Sequence, residues 1–422
     1  MRITKKLIAI ALSGVVFLIL SGCGDSGTDS IGGTDSGDVT RIDLPATGQT
    51  TVYITGDDGD LQKGVEWPDP RFTDNGDGTI TDNLTGLIWL KKANILDPNL
   101  SNNYGIATWS EVLAFVDDIN TDGKIGKDKI WETDAGDTSN NGSHQTDWRL
   151  PNRNEFESIM TLEPGGSFSN IPEWLEGQGF EGVSTTNRYW TSTTYPPTDD
   201  YPADAWHAQL YEGRIRHWSK DYTGPMMLVR GNGDEALAQV WKTGQTTVYE
   251  TGDDGDLQKG VEWPDPRFTD NGDGTITDNL TGLIWLKKAN CAQTSTDWDT
   301  AFDYITELNT QGTMNGNTAS DTSAGGSHQT DWRLPNRKEL FSLLDMSQLN
   351  PALPNGYPFT SIGVTTSATP VPGWYWSSST DDLNTGNAWE ISLGSGSVSR
   401  TSKTSSDNYI LPVRGAADIP AP

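Results

Sequence analysis

Cysteine is scarce, with only Cys23 and Cys291 in 422 residues, which excludes a disulfide framework and any cysteine-cluster metal site. Positive charge is also thin: Lys and Arg number 29 against 58 Asp and Glu, a formal charge of −29. Three of those cations, Arg2, Lys5 and Lys6, precede the expected cleavage site, so the mature chain carries 26 cations against 58 anions, or −32. A chain this acidic has little with which to neutralise phosphates, which argues against non-specific nucleic-acid binding and against broad docking on anionic membranes. Hydrophobic residues are only 34% and mean hydropathy is −0.55. The long apolar run Leu7–Leu20, 14 residues, falls short of the roughly 20 that a spanning helix needs. Glycine (46), proline (22) and tryptophan (17) are abundant. They predict a turn-rich protein whose core is built from few, large aromatic anchors, and the length suits two or three domains.

The N-terminus reads as an address. A basic start, the short apolar run and Ser21-Gly22-Cys23 form a secretory signal. Leu20-Ser21-Gly22-Cys23 resembles a bacterial lipobox, in which the cysteine thiol is acylated and becomes the mature N-terminus. Residues 1–22 are then a signal peptide, with Cys23 as the lipidation site and the partner of the membrane. Gly24, in place of Asp, favours the outer membrane. Residues 23–45, rich in Gly, Asp, Ser and Thr, form a flexible tether.

The rest of the chain is a long internal repeat. Thr47–Asn94 recurs as Thr243–Asn290 with one difference, Ile54 against Glu250, and Ser143–Arg153 recurs as Ser327–Arg337. Tyr189-Trp190, Ala205-Trp206 and Val229-Arg230-Gly231 match Tyr375-Trp376, Ala388-Trp389 and Val413-Arg414-Gly415. We therefore expect domains at 46–231 and 243–415, a linker at 232–242 and a tail at 416–422. The period is far beyond solenoid repeats, so each copy is expected to hold its own core.

Within a unit, Phe72-Thr73-Asp74, Asn75-Gly76-Asp77-Gly78 and Thr79–Asp82 read as strand, turn, strand. Trp109, Val112, Leu113, Val116 and Ile119 lie on one helical face, started by a Thr108/Glu111 capping box. Trp298, Ala301, Phe302, Ile305 and Leu308 repeat the stripe. A second helix begins after Asn152 and Asn336, each with Glu at the third helical position, and Leu340, Leu343 and Leu344 give its buried face. Gly/Pro/Ser-rich loops and short strands follow. Two helices amid short, irregular strands predict an α+β fold.

The series Arg-Phe-Thr-Asp-Asn-Gly-Asp-Gly-Thr, Gly-Leu-Ile-Trp-Leu, Thr-Asp-Trp-Arg-Leu-Pro-Asn-Arg, Tyr-Trp, Ala-Trp and Val-Arg-Gly resembles the C-terminal domain family of the Legionella collagen-like protein, over nearly all of both units. The Trp109 stripe followed by Arg149-Leu150-Pro151-Asn152-Arg153-Asn154-Glu155 is more distantly similar to C-type-lectin-like and formylglycine-generating-enzyme domains. The resemblance implies two tandem C-type-lectin-like domains, with the loops after the second helix forming a ligand surface. The namesake of the family is an adhesin whose domain binds glycosaminoglycans. No collagen Gly-X-Y repeat is present, so its stalk and trimer are not implied.

Enzymatic readings find little to stand on. Formylglycine-generating chemistry needs reactive cysteines, and Cys291 has only Ile95 as its counterpart. His144 and His328 sit in Ser-His-Gln-Thr-Asp-Trp, but triad members come from separate segments, and no Gly-x-Ser-x-Gly elbow is present. His207 and His217 have no counterparts in the second copy and make no zinc pattern. Asp74, Asp77 and Asp82, repeated as Asp270, Asp273 and Asp278, offer clustered oxygens for a structural Ca2+; the competing reading is a hairpin whose Asp and Asn side chains bond their own backbone. No Glu-Pro-Asn or Gln-Pro-Asp tripeptide of calcium-dependent lectins occurs.

The functional expectation is a non-catalytic, lipid-anchored envelope protein displaying two lectin-like modules for an extracellular glycan or protein. Trp190, Trp206, Trp376 and Trp389 are candidate stacking residues, although recurrent aromatics are more often packing. The unpaired Trp174, Trp218 and Trp374 are candidates for setting each copy's specificity. The charge of −32 opposes polyanionic ligands, unless a basic patch of Arg214, Arg216, His217 and Lys220 serves the first copy. The alternative is an envelope spacer without a small-ligand site.

Overall fold

The computed structural model describes residues 41–96, 106–126, 132–163, 170–233, 236–363 and 373–415. The signal peptide, Cys23, most of the tether and the whole tail lie outside the described residues.

Each unit is α+β, as expected. The first hairpin pairs Phe72–Asp74 with Thr79–Asp82, Asp74 opposite Ile80. Its Asn-Gly and Asp-Gly steps supply positive φ at Gly76 (75°) and Gly78 (89°). Gly78 is irreplaceable for a second reason: a Cβ there would lie 2.0 Å from the Gly136 carbonyl oxygen. Ile88–Leu90 adds a third strand, and Val229–Arg230 returns from the far end of the unit to pair with it. The second unit repeats this with Phe268–Asp270, Thr275–Asp278, Ile284–Leu286 and Val413–Arg414.

The predicted stripe forms the helix Trp109–Asp122, with Trp109, Val112, Leu113 and Ile119 buried and Val116 half-buried. The Glu111 carboxylate accepts from the Thr108 amide at 2.9 Å. The second copy forms Trp298–Gln311, where Asp297 caps the Thr300 amide and all five stripe residues are buried. The Asn152 caps were legible too: the Glu155 amide donates to Asn152 Oδ1 (3.0 Å) and the Asn152 amide to Glu155 Oε2 (2.8 Å). The first unit adds a helix at Ile171–Gly177, inside what reads as loop.

One expectation needs correction. Each unit does keep a core beneath its long helix, the first around Trp109, Trp148 and Trp190 and the second around Trp298, Trp332 and Trp376. The largest core, however, is common to both, running from Phe72, Phe156 and Trp206 to Phe341, Tyr375 and Trp389. The cause is a shared sheet. Tyr189–Thr194, Asp204–Gln209 and Arg214–Ser219 form one antiparallel meander, and Trp374–Thr380, Asn387–Ser392 and Val398–Ser402 form another. The two join edge to edge at Ile215 and Val398 into one six-stranded sheet. Joining removes two free sheet edges. Nor is the segment at 232–242 a free linker throughout, since Ala238, Val240 and Trp241 are buried.

The units also exchange arms. The turn of helix Asp58–Leu61 belongs to the first repeat but packs on Trp374–Thr380 of the second, and Asp254–Leu257 packs on Tyr189–Thr194 of the first. Gln49 imitates a strand partner: its amide nitrogen donates to the Thr380 carbonyl and its oxygen accepts from the Thr380 amide, both at 2.9 Å. Gln245 does the same to Thr194, at 2.8 and 2.9 Å. Asp58 accepts from Thr47 and Ser379, and Asp254 from Thr243 and Thr193. Asn336 and Asn152 reach the Lys63 and Lys259 carbonyls of the opposite arms.

The short helices Arg153–Ile159 and Arg337–Ser342 sit where the units meet and are buried all round, not on one face. Their charges are consequently enclosed. Arg337 donates to Glu157 Oε2 at 2.6 Å and to the Gly213 carbonyl at 2.7 Å, with its guanidinium 4.2 Å above the Trp389 ring. Lys338 donates to the Glu157 carbonyl and lies 3.7 Å from its carboxylate. Across the pseudo-symmetry, Arg153 instead covers the Trp206 and Phe341 rings and donates to the Gly396 carbonyl. Glu157 thus serves two cations of the other unit, while Phe341, at the matching position, serves the first unit's arginine as an aromatic face.

Candidate functional site

The four tryptophans expected to stack on a ligand do not. Trp190, Trp206, Trp376 and Trp389 are 2%, 1%, 0% and 3% exposed, because the strands that carry them are covered on both faces. Trp190 and Trp376 donate their indole N–H to the Ala107 and Thr296 carbonyls at 3.1 and 2.8 Å, tying the sheet to the start of the long helix. Trp206 and Trp389 lie under the buried arginines. Of the unpaired tryptophans, Trp174 packs against Trp67 and Phe72 in the core, while Trp218 and Trp374 are half-buried.

The hairpin aspartates do not converge on a metal either. Asp82 is held by Arg71 at 2.6 and 2.8 Å and also accepts from the Leu84 amide and the Thr85 hydroxyl. Asp74 pairs with Lys91, and Asp77 accepts from the amide and hydroxyl of Thr79. Asp270, Asp273 and Asp278 repeat these roles with Lys287, Thr275 and Arg267. Among the described residues no group of carboxylates, His and Cys could hold a metal ion. The aspartates stabilise the turn itself.

His144 lies against Gly123 at the end of the long helix, and the neighbouring Asp147 pairs with Arg230 at 2.8 Å. His328 and Asp331 repeat this against Gly312 and Arg414. Cys291 is fully buried, and burial pushes its thiol up to about 11, which leaves it unreactive at neutral pH. The basic patch of the first copy is dispersed. Arg214 pairs with Glu212, Arg216 donates to Ser399, and Lys220 turns inward to Thr194 and the Trp109 face.

What the first unit does present is a groove of about 540 Å³ between strand Arg214–Ser219 and the segment leading into Asp204–Gln209, lined by Asp200, Tyr201, Asp204, His217, Trp218 and Asp221 among others. Antiparallel register sets its floor: Trp206 opposite His217 and Ala205 opposite Trp218 put the His and the Trp on opposite faces of one strand end. His217 Nδ1 is bonded to Asp204 Oδ2 at 2.8 Å. The His217 ring stacks on Tyr195, with centroids 3.9 Å apart and 16° between planes, and meets the Tyr201 edge at 4.7 Å. The carboxylate fixes the ring's orientation and the tyrosine stack fixes its plane, so the wall is pre-organised. Trp218 is covered on one side by the Arg188 guanidinium at 3.9 Å and flanked by Tyr222 at 5.0 Å. Its shielded indole N–H has no protein acceptor. Tyr201 and Tyr222 are 44% and 58% exposed.

At the matching place the second unit shows, among the described residues, only a small cleft of about 20 Å³ lined by Asp381, Asp382, Leu383 and Trp389 with residues of the first unit. Trp389 faces Arg400 where Trp206 faces His217. Asp381 follows Thr380 where Tyr195 follows Thr194, and it closes on Arg400 at 3.2 Å. An ion pair replaces the His–Tyr stack.

The sequence singles out His217 and Trp218 but misses Asp200, Tyr201, Asp204 and Asp221. The only available signal is the unmatched segment Pro196–Pro202, where the first copy departs from the second.

The fold and groove define a tandem α+β module with an asymmetric, aromatic and acidic surface site. The family model for the Lcl C-terminal domain matches residues 78–230 and 274–414, and the chain belongs to that family, once in each unit. No curated protein matches the chain.

Proposed function

We propose that this protein is a lipid-anchored envelope protein, moored through Cys23 and favouring the outer membrane, that binds an extracellular saccharide in the groove of its first unit and does no chemistry on it. The observation that carries this reading is the groove itself. Aromatic rings offer faces to sugar C–H bonds and carboxylates accept from hydroxyl groups; Asp204, His217 and Trp218 are held on the sheet, and Asp200, Tyr201 and Asp221 on the loops beside it. The His217–Asp204 pair reads as a positioning contact, with Asp204 holding the ring nitrogen and Tyr195 the ring plane, while the lining Ser219 hydroxyl accepts from the Asp221 amide at 3.4 Å. A polyanionic ligand is disfavoured by the mature charge of −32 and by the dispersal of the basic patch. The second unit then serves chiefly to complete the first, through the shared sheet and the exchanged arm.

The test is a glycan array with the full chain, followed by titration of the best ligand. Saturable binding lost in Trp218→Ala and Tyr201→Ala, with Trp374→Ala unaffected, supports the reading. An array without any saturable ligand favours a spacer that only packs with its neighbours.

A further inference from the structure

The groove's charge is one-sided. Asp200, Asp204 and Asp221 line it, and neither Lys nor Arg is among the lining residues. Of the nearby cations, Arg216 bonds Ser399 and Lys220 bonds Thr194, while the Arg188 guanidinium is spread over one face of the groove's Trp218 and is not itself a lining residue. Asp204 is met by His217, while Asp200 and Asp221 are exposed and unmatched at the rim. Resting on the saccharide reading above, we propose that the ligand is an amine-bearing saccharide, a polymer or oligomer of amino sugars left unacetylated, whose ammonium groups meet Asp200 and Asp221 while its rings lie along Tyr201 and Trp218.

The complementarity is chemical. An ionised carboxylate only accepts hydrogen bonds and an ammonium only donates them, and such charge-assisted bonds are roughly twice as strong as neutral ones. An acetamido group keeps a single neutral N–H donor, loses the charge, and brings a carbonyl oxygen to which carboxylates cannot donate. A cation also gains from the aromatic walls. The acidic body adds a long-range attraction that raises the association rate at low salt. The same features that repel sulfated polymers therefore recruit a cationic one. The second unit, where Arg400 fills the corresponding corner, has no claim on such a ligand.

The experiment titrates the full chain with glucosamine and N-acetylglucosamine oligomers of equal length at pH 6, following tryptophan fluorescence at low and moderate salt. The amine form is expected to bind about tenfold more tightly, with the gap shrinking as salt is added. In the Asp200→Asn/Asp221→Asn variant the amine form is expected to lose most of its advantage, the preference falling to about twofold or less; both positions are exposed, so the fold is retained. Equal or preferential binding of the acetylated oligomer overturns the amine inference and leaves the saccharide reading standing. Binding of neither oligomer overturns the inference, and the glycan array then decides the broader reading on its own.

Discussion

At the scale of single residues, the most consequential groups are two carboxyls that never meet solvent. Burial pushes Asp58 and Asp254 up to about 7, against the opposing effect of the hydroxyls that donate to them. Glu339 and Asp57 add repulsion at Asp58, and Glu155 and Asp253 at Asp254. An aspartate in the unfolded chain titrates near 3.9, so between about pH 4 and 7 the folded state holds more protons than the unfolded one. Stability must then fall as pH rises through that window, by on the order of 1–4 kcal/mol per site. Other groups, such as Asp137 and Glu163, are shifted down and pull the opposite way, so the measurement is a difference. Thermal melts from pH 4 to 7.5 should show native stability declining relative to the Asp58→Asn/Asp254→Asn variant. Parallel curves would mean that these carboxyls are not protonated in the fold.

At the scale of elements, what was legible followed local rules. The capping pairs Asn152/Glu155 and Asn336/Glu339, the Trp109 and Trp298 stripes and the Asn-Gly-Asp-Gly turn each depend on residues within one helix or one hairpin. The exposure of Trp190 and Trp206 could not be read, since Tyr189–Thr194 and Asp204–Gln209 are buried on both faces and alternation disappears. The arm exchange left no signature, because Gln49 and Gln245 would bond any free strand end and the two arms are nearly identical. The asymmetric meeting of Arg153–Ile159 with Arg337–Ser342 is equally invisible locally, yet it yields a sharp expectation. Removing one partner of a buried ion pair costs about 3–5 kcal/mol. Glu157→Ala strips both Arg337 and Lys338 of their carboxylate, and equilibrium denaturation should report a loss in that range. Phe341→Ala, which removes an aromatic face but no counterion, should report a core truncation of similar size without the salt and pH sensitivity of the Glu157 variant.

At the scale of the whole molecule, duplication has made one body out of two copies. Each unit lends an arm, donates half of a sheet and fills part of a common core, so neither has a complete surface to present alone. The connection between them is then mechanically unimportant once folding is done. A protease site inserted after the exposed Asn232 should cut the chain without dispersing it. The nicked protein should elute as one particle and melt in one transition, though less stably, because the two pieces now pay association entropy that a single chain avoids. Separation into two folded halves would mean that the units are independent heads and that the arms contribute little. One cooperative body also explains how the second unit tolerates an ion pair where the first keeps a groove. Its sequence is constrained by what it gives its neighbour at Thr380, Arg337 and the arm around Asp254, and not by a ligand of its own.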